Sequence, residues 1–503
     1  MSRTSRPAYF PFAIFITLAG CQLIGGLDEL RLTPGTGGAG GLGEGGAGGI
    51  SGSSSSTGTN SAGGAGGGPP TTALWSKRFG DATGQYVTDV AVDASGNIFL
   101  VGAFLGTLDF GTGKALITIG DYDAFLAKLD GDGNLLWSIA FGGTGPDRIE
   151  SVSLTATGDP VVAGSYGSGI SIGATNITNA GGLDGFVMRF SGTDGSLTWT
   201  RHFGDAQNQR VASVGVATST DDVFCFGDFA GTIDFGGQMF TSSGLEDLFA
   251  VRYDSAGTFF AALKSGDALG QTARNIVVNG TGITYAAARF DGKLDWGPVT
   301  SAGQGDVFLG KFQTNGAVAW ALQMGDTNTQ QPNGLALVPG GGGVAMVGEF
   351  EGAATLGGKA ISSKGGFDAF IAQVDAAGAV SWIRTIGDAP MATPDDQYAT
   401  DVAISSGGTL FVTGYVAGTV NFGDNVVSGP GDTDFFVMRI ESTGQTAWAL
   451  RSGSDNSQFG RAIALSGNTH LVVAGDFRNT LDLGNGPLTS AGSNDIFVAK
   501  LNR

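Results

Sequence analysis

The chain has 503 residues, 90 of them glycine, and carries a formal net charge of −19 from 26 Lys+Arg against 45 Asp+Glu. That balance excludes nucleic acid as a partner, because such binding draws its affinity from cationic side chains on phosphates, and it disfavours anionic membrane surfaces for the same reason. Many glycines, few charges and abundant Phe and Val suit short strands joined by tight turns.

Residues 1–20 have the features of an export signal. Arg3 and Arg6 make a positive start, and Ala8 to Leu18 is an apolar run interrupted by Pro11, too short to span a bilayer as a permanent helix. The run ends in Leu18-Ala19-Gly20-Cys21, which resembles a bacterial lipobox, small residues ahead of a cysteine that is diacylated and becomes the mature N-terminus. An ordinary signal peptide with an incidental cysteine is the competing reading. By the resemblance Cys21 is the lipidation site, its covalent lipid is the membrane anchor, and Gln22 in place of Asp implies sorting to the outer membrane, on the periplasmic or the cell-surface side. With Cys21 acylated, Cys225 has no partner for an intramolecular disulfide, and within Val223-Phe224-Cys225-Phe226 it reads as a small buried hydrophobe. Residues 21–32 form a lipidated N-terminal segment. Residues 33–70 are nearly all Gly, Ser, Ala and Thr, too polar to offset their ordering entropy, and predict a disordered linker with a reach of roughly 30–40 Å.

From residue 71 to 503 the chain repeats. Trp75, Trp137, Trp199, Ala261 in place of a fourth, Trp320, Trp382 and Trp448 are spaced by 62, 62, 62, 59, 62 and 66 residues. Self-similarity at such a period defines a repeat architecture, here of seven units. In the first copy Asp89–Asp93, Ile98–Phe104, Asp123–Leu129 and Leu135–Phe141 predict four strands. Turns lie at Ser95–Asn97 and Asp130–Asn134, and a variable loop follows Leu108-Asp109-Phe110-Gly111. Four short antiparallel strands make one propeller blade. An open β-solenoid competes with this, but the repeat region starts with a lone fourth-type strand, Leu74–Phe79, and stops with a third-type strand, Asp495–Leu501. Joining the two completes a seventh blade and removes exposed edges. The expected fold is all-β, a seven-bladed β-propeller of four-stranded antiparallel blades closed by the N-terminal strand.

The pattern Trp-x4-Gly-Asp, apolar strand, Gly-x-Phe-x-Gly, Asp-x-Phe and a turn before the next Trp resembles the bacterial SBBP-type β-propeller repeats over residues 74–501. That resemblance implies a secreted or surface protein, similar to the lipid-anchored versions of myxobacteria, and it brings no catalytic or binding residues with it.

Asp-x-Phe occurs in every copy, as Asp123/Phe125, Asp184/Phe186, Asp247/Phe249, Asp306/Phe308, Asp368/Phe370, Asp434/Phe436 and Asp495/Phe497. Seven equivalent carboxylates suit a structural role, because acid–base catalysis needs two groups in different environments. Asp is expected to accept backbone N–H bonds where the strand starts, and Phe to pack between blades.

A second repeated position holds Gln85, Asp147, Gln209, Gln271, Gln330, Gln397 and Gln458, just ahead of each innermost strand. Asp81, Asp205, Asp267, Asp326 and Asp388 stand nearby, with Arg148, Arg210, Arg274 and Arg461 interspersed. Together they form a candidate ring at one mouth of the central channel. Two readings compete: a polar funnel for a sugar, peptide or small ligand, and a hydrogen-bonding belt that satisfies loop backbone between blades.

The sixth blade is irregular. Its leading loop, Ala389–Thr400, is the longest and carries Asp395, Asp396 and Tyr398 as a second candidate site. Asp130-Gly131-Asp132-Gly133-Asn134 starts like a calcium loop but lacks the closing glutamate, which favours a plain hairpin turn. His202 and His470, the only histidines, fall in different blades and support neither a metal cluster nor a Ser-His-Asp triad. No cofactor is expected beyond the lipid on Cys21, with calcium at the Asp130 turn as the alternative. The sequence thus points to a non-enzymatic outer-membrane lipoprotein that presents a rigid propeller to an unknown protein or glycan ligand, or for surface assembly. Two alternatives stand beside it: a polysaccharide lyase or hydrolase acting at the channel mouth, and a scaffold subunit of an envelope complex.

Overall fold

A computed structural model describes residues 72–388, 395–423, 426–429 and 432–503. The signal segment 1–20, Cys21, the segment 21–32 and the linker 33–70 lie outside the described residues, as do residues 389–394 ahead of the sixth blade. In the first blade Gln85–Val92, Ile98–Phe104, Asp123–Leu129 and Leu135–Phe141 pair antiparallel in that order. Burial follows position within the blade. Ile98–Phe104 is buried at all seven residues, while Leu135–Phe141 at the rim is buried only at Phe141. A strand enclosed on both faces needs an unbroken apolar run, and IFLVGAF supplies one.

Five further blades start at Asp147, Gln209, Gln271, Gln330 and Gln397 with the same strand order. The seventh takes Gln458–Ser466, His470–Phe477 and Asp495–Asn502 from the C-terminal end and Trp75–Phe79 from the N-terminal end, in register from Trp75 opposite Lys500 to Phe79 opposite Ile496. The expected closure is therefore present. Seven apolar clusters fill the seven interfaces between neighbouring blades, the closing one joining Val87, Leu100 and Phe125 to Val472, Ile496 and Val498.

The repeated tryptophan explains itself at these interfaces. Nε1 of Trp75, Trp137, Trp199, Trp320 and Trp382 donates to the carbonyl of Gly131, Gly192, Ser255, Ala376 and Ser442, each in the third-to-fourth-strand turn of the next blade, at 3.1–3.3 Å. Each indole thus spans from the rim of one blade to its neighbour.

Two features differ from the strand assignments made on sequence. The variable loop after the second strand holds a short hairpin in each blade, such as Ile170–Ile172 with Thr175–Ile177. The innermost strand starts at Gln85 rather than Asp89, and its pairing slips by one residue between Val87 and Asp89. The same β-bulge recurs in all seven innermost strands.

Candidate functional site

Each glutamine of the candidate ring is the first residue of an innermost strand and is fully buried. Gln209 Nε2 donates to Asp205 Oδ1 at 2.7 Å and to the Ala230 carbonyl at 2.9 Å, while its Oε1 accepts the Asp205 N–H. Gln85 and Gln330 repeat this with Asp81 and Asp326, and Gln458 does so with Ser454. Gln271 Nε2 binds Asp267 and the Asp291 carbonyl. Asp147, the one carboxylate in the series, accepts the Gly143 N–H at 2.7 Å, and burial raises its pKa to about 7. These groups tie the leading loop of a blade to the end of its second strand.

The Asp-x-Phe carboxylates meet the glutamines at one point. All seven are buried, and Asp123, Asp184, Asp247, Asp306 and Asp495 each accept a backbone N–H four residues upstream, as Asp184 does from Ala180 at 2.6 Å. The glycine of Trp-x4-Gly lies between the two side chains. A Cβ on Gly80 would sit 2.3 Å from Gln85 Oε1 and 2.8 Å from Asp495 Oδ1, and its φ of +147° suits glycine alone. The three repeated signatures (Gly, Gln, Asp) thus form one junction between blades.

The channel itself is built by the bulge. The extra residue at each slip is Thr88, Glu150, Ala212, Arg274, Asn333, Thr400 or Arg461, and all seven line the central cavity. A bulge re-aims side chains that alternation would send into the blade interface. Several of these side chains lace blades together. Thr88 Oγ1 donates to the Ile149 carbonyl at 2.7 Å, Asn333 Nδ2 to Ala399 at 3.0 Å and Thr400 Oγ1 to Gly460 at 2.9 Å.

The next residue forms the waist of the channel, where Asp89, Ser151, Ser213, Asn275 and Asp401 line both the upper cavity and a lower one bounded by Val90, Val152, Val214 and Leu335. Asp89 Oδ2 accepts the Val152 N–H at 2.9 Å and Asp401 Oδ2 the Ile463 N–H at 2.8 Å, while the other oxygen of each accepts the N–H of the following residue. Burial within the ring of blades pushes Asp89 up to about 6. It pushes Asp401 up to about 8, aided by repulsion from Asp89.

One wall of the upper cavity is aromatic. Tyr398 stacks on Tyr415 at 4.8 Å between ring centres, and Phe459 meets Tyr415 edge-on at 4.9 Å with the Arg461 guanidinium 4.4 Å from the Phe459 ring. Across from it stand Glu150, paired with Arg148 at 2.9 Å, and Arg274. Behind the lining Glu349 is buried, bonded to Gln331 at 2.7 Å and to Asn333, and desolvation raises its pKa to about 7.

The irregular sixth blade divides its residues. Tyr398 lines the channel. Asp396 Oδ1 accepts the Phe367 N–H at 2.9 Å and its Oδ2 accepts the Tyr398 hydroxyl at 3.3 Å. The Asp395 carboxylate lies against Gly418, the place that Asp205 holds against Gly231 and Asp267 against Gly292. Asp388 takes the Gln397 amide instead, so the longer loop shares between two aspartates what one does elsewhere. The turn at Asp130 is closed by its own backbone, with Asp130 Oδ1 accepting the Asp132 and Asn134 N–H groups. Cys225 is fully buried, which raises its thiol pKa.

Of the channel residues, Arg274, Arg461 and Tyr398 were singled out on sequence. Thr88, Glu150, Ala212, Asn333 and Thr400 were not. The available signal was divergence at one fixed repeat position, with Thr, Glu, Ala, Arg, Asn, Thr and Arg in the seven copies.

No family model and no curated protein matches the chain. Solved β-propeller structures do. BamB from Moraxella catarrhalis is 12% identical over 85% of this chain and 97% of that one, with a TM-score of 0.38. The Pan2 WD40 domain of Neurospora crassa is 10% identical over 82% and 88%, with a TM-score of 0.38. A europium-containing methanol dehydrogenase is 9% identical over 85% and 93%, with a TM-score of 0.44. At this distance nothing about ligand or partner carries over.

Proposed function

We propose that the chain is a non-catalytic binding protein that receives one end of a saccharide in the upper half of its channel. The observation that carries this is the contrast between two neighbouring positions. The bracing residue at the start of each innermost strand is glutamine in six of seven blades, while the bulge residue three positions on varies around the ring. A fold constraint explains sameness, and divergence confined to the lining suits a site that reads one ligand. The stacked pair Tyr398 and Tyr415 offers an aromatic wall for a sugar face, and Asn275, Asn333, Thr88 and Thr400 add amides and hydroxyls to the same lining. Catalysis is the weaker reading, because both oxygens of Asp89 and of Asp401 are engaged by backbone N–H groups and Glu150 is paired with Arg148. The lipobox-like segment and the likeness to SBBP-type repeats support an outer-membrane lipid anchor at Cys21, which palmitate labelling of wild type against Cys21→Ala tests directly.

A glycan array probed with the full-length protein tests the site. Tyr398→Ala and Asn275→Ala should each weaken binding of the selected glycan about tenfold while the melting temperature stays within a few degrees. Binding that survives both substitutions would move the function off the channel.

A further inference from the structure

Position 261 is the one place where the repeat's tryptophan is replaced, by alanine. The rest of the indole's surroundings is still there. In the first and fourth blades the indole faces an aromatic ring of the second strand, Phe99 at 6.0 Å from Trp137 and Tyr285 at 5.9 Å from Trp320. Phe224 holds that position in the third blade. In those blades a lysine, Lys128 or Lys311, donates to the same turn carbonyl as the indole, Gly192 or Ala376. In the third blade Arg252 Nη1 donates to the Thr314 carbonyl at 3.0 Å, and position 261 has no indole to be the second donor. The glycine beneath the indole, Gly195 or Gly378, has its counterpart in Gly316. Leu263 covers Gly316, the place that the indoles of Trp137 and Trp320 take over Gly195 and Gly378, and leaves the space beside Phe224 open.

The result is an apolar recess between the third and fourth blades. Phe224, Ala261, Leu263, Trp296 and Phe312 line it, and Phe260, also in the lining, is 60% exposed. Arg252 lies 4.1 Å from the Phe260 ring, its charge balanced by Asp222.

We propose that this recess binds a small, flat aromatic molecule of the indole class, its N–H donating to the Thr314 carbonyl and its ring lying between Phe224 and Leu263. The equivalent slot of five other blades specifies that occupant in shape and in hydrogen bonding. We take the occupant to be a free ligand, because the equivalent slot of the other blades holds a single ring. The recess is separate from the channel, so this assignment stands whether or not a saccharide binds there.

Fluorine NMR of 5-fluoroindole added to the full-length protein reads the site, since the protein itself carries no fluorine. Saturable broadening and shift are expected with wild type. Ala261→Trp should abolish them while leaving the melting temperature equal or higher, because the new indole takes up the bonding that the other blades use. In competition, 1-methylindole, which lacks the N–H donor, should displace the probe about three- to tenfold less well than indole, the range of one hydrogen bond. An unchanged fluorine line at millimolar ligand would overturn the proposal, as would equal binding by a well-folded Ala261→Trp. Stronger displacement by N-acetyltryptophanamide than by indole would overturn the choice of a free ligand.

Discussion

Closure of the ring by the N-terminal strand is open to a single-residue test, Phe79→Ala. Phe79 is 5% exposed and sits 4.9 Å, ring centre to ring centre, from Phe110, in the cluster that joins the first blade to the seventh. Truncating a buried phenylalanine costs about 3–5 kcal/mol, transfer and cavity terms together. The folded region is roughly 430 residues, and at an unfolding entropy of about 2.1 cal/mol/K per residue it loses about 1 °C of melting temperature per kcal/mol if it melts as one unit, so a fall of about 3–5 °C is expected. Leu136→Ala is the control. It lies on an outermost strand like Phe79 but is 52% exposed, and should cost no more than about 0.5 kcal/mol. Differential scanning calorimetry of the two variants beside wild type decides the matter. In an open stack Phe79 would belong to a frayed end, so Phe79→Ala melting together with Leu136→Ala would refute closure.

Two further outcomes follow from the junction and the waist. Gly80→Ala should destabilise by about 1–3 kcal/mol in urea unfolding, because its Cβ would meet Gln85 and Asp495 in a backbone conformation that alanine resists. The waist gives a pH dependence. The folded pKa of Asp401, about 8, lies above the ordinary carboxylate value of about 3.9, so the folded state holds a proton that the unfolded chain releases. Its contribution is complete below about pH 4 and is lost as pH rises through 8. Melting temperature should therefore decline from pH 5 to pH 9, and Asp401→Asn, which carries no titrating group, should flatten that decline by about 1–3 °C. An equally steep decline in the variant would show that Asp401 does not titrate in this range.

Much of the fold was legible because the repeat presents the same constraint seven times. Trp137 and Phe125 each meet a neighbouring copy, and their recurrence at a fixed period follows from that. The second and third strands were also plain, since enclosure on both faces demands runs such as Ile98–Phe104 and Asp123–Leu129, and the structure keeps those limits. The short hairpins were not read, because strands of two to four residues such as Thr107–Leu108 leave too few positions for any period to register.

The innermost strand shows why the channel lining stayed hidden while the brace beside it stood out. Alternation identifies a strand only while its phase holds, and the bulge after Val87 resets that phase. The clean alternation from Asp89 onward was read as the strand, and Gln85 to Thr88 fell to the loop. Placed just outside a strand, the glutamines admit both readings, a polar mouth and a hydrogen-bonding belt. Inside the strand the same amide is buried and must spend its bonds on neighbouring backbone, as Gln209 does on Ala230. The bulge residue three positions on has no cross-strand partner of its own, so its side chain turns to the channel, where Thr88, Asn333 and Thr400 reach the backbone of the next blade. Repetition in this protein marks what the fold requires, and departures from repetition mark where it is free to vary. Ala261 and the seven bulge residues are such departures, and each lines a cavity.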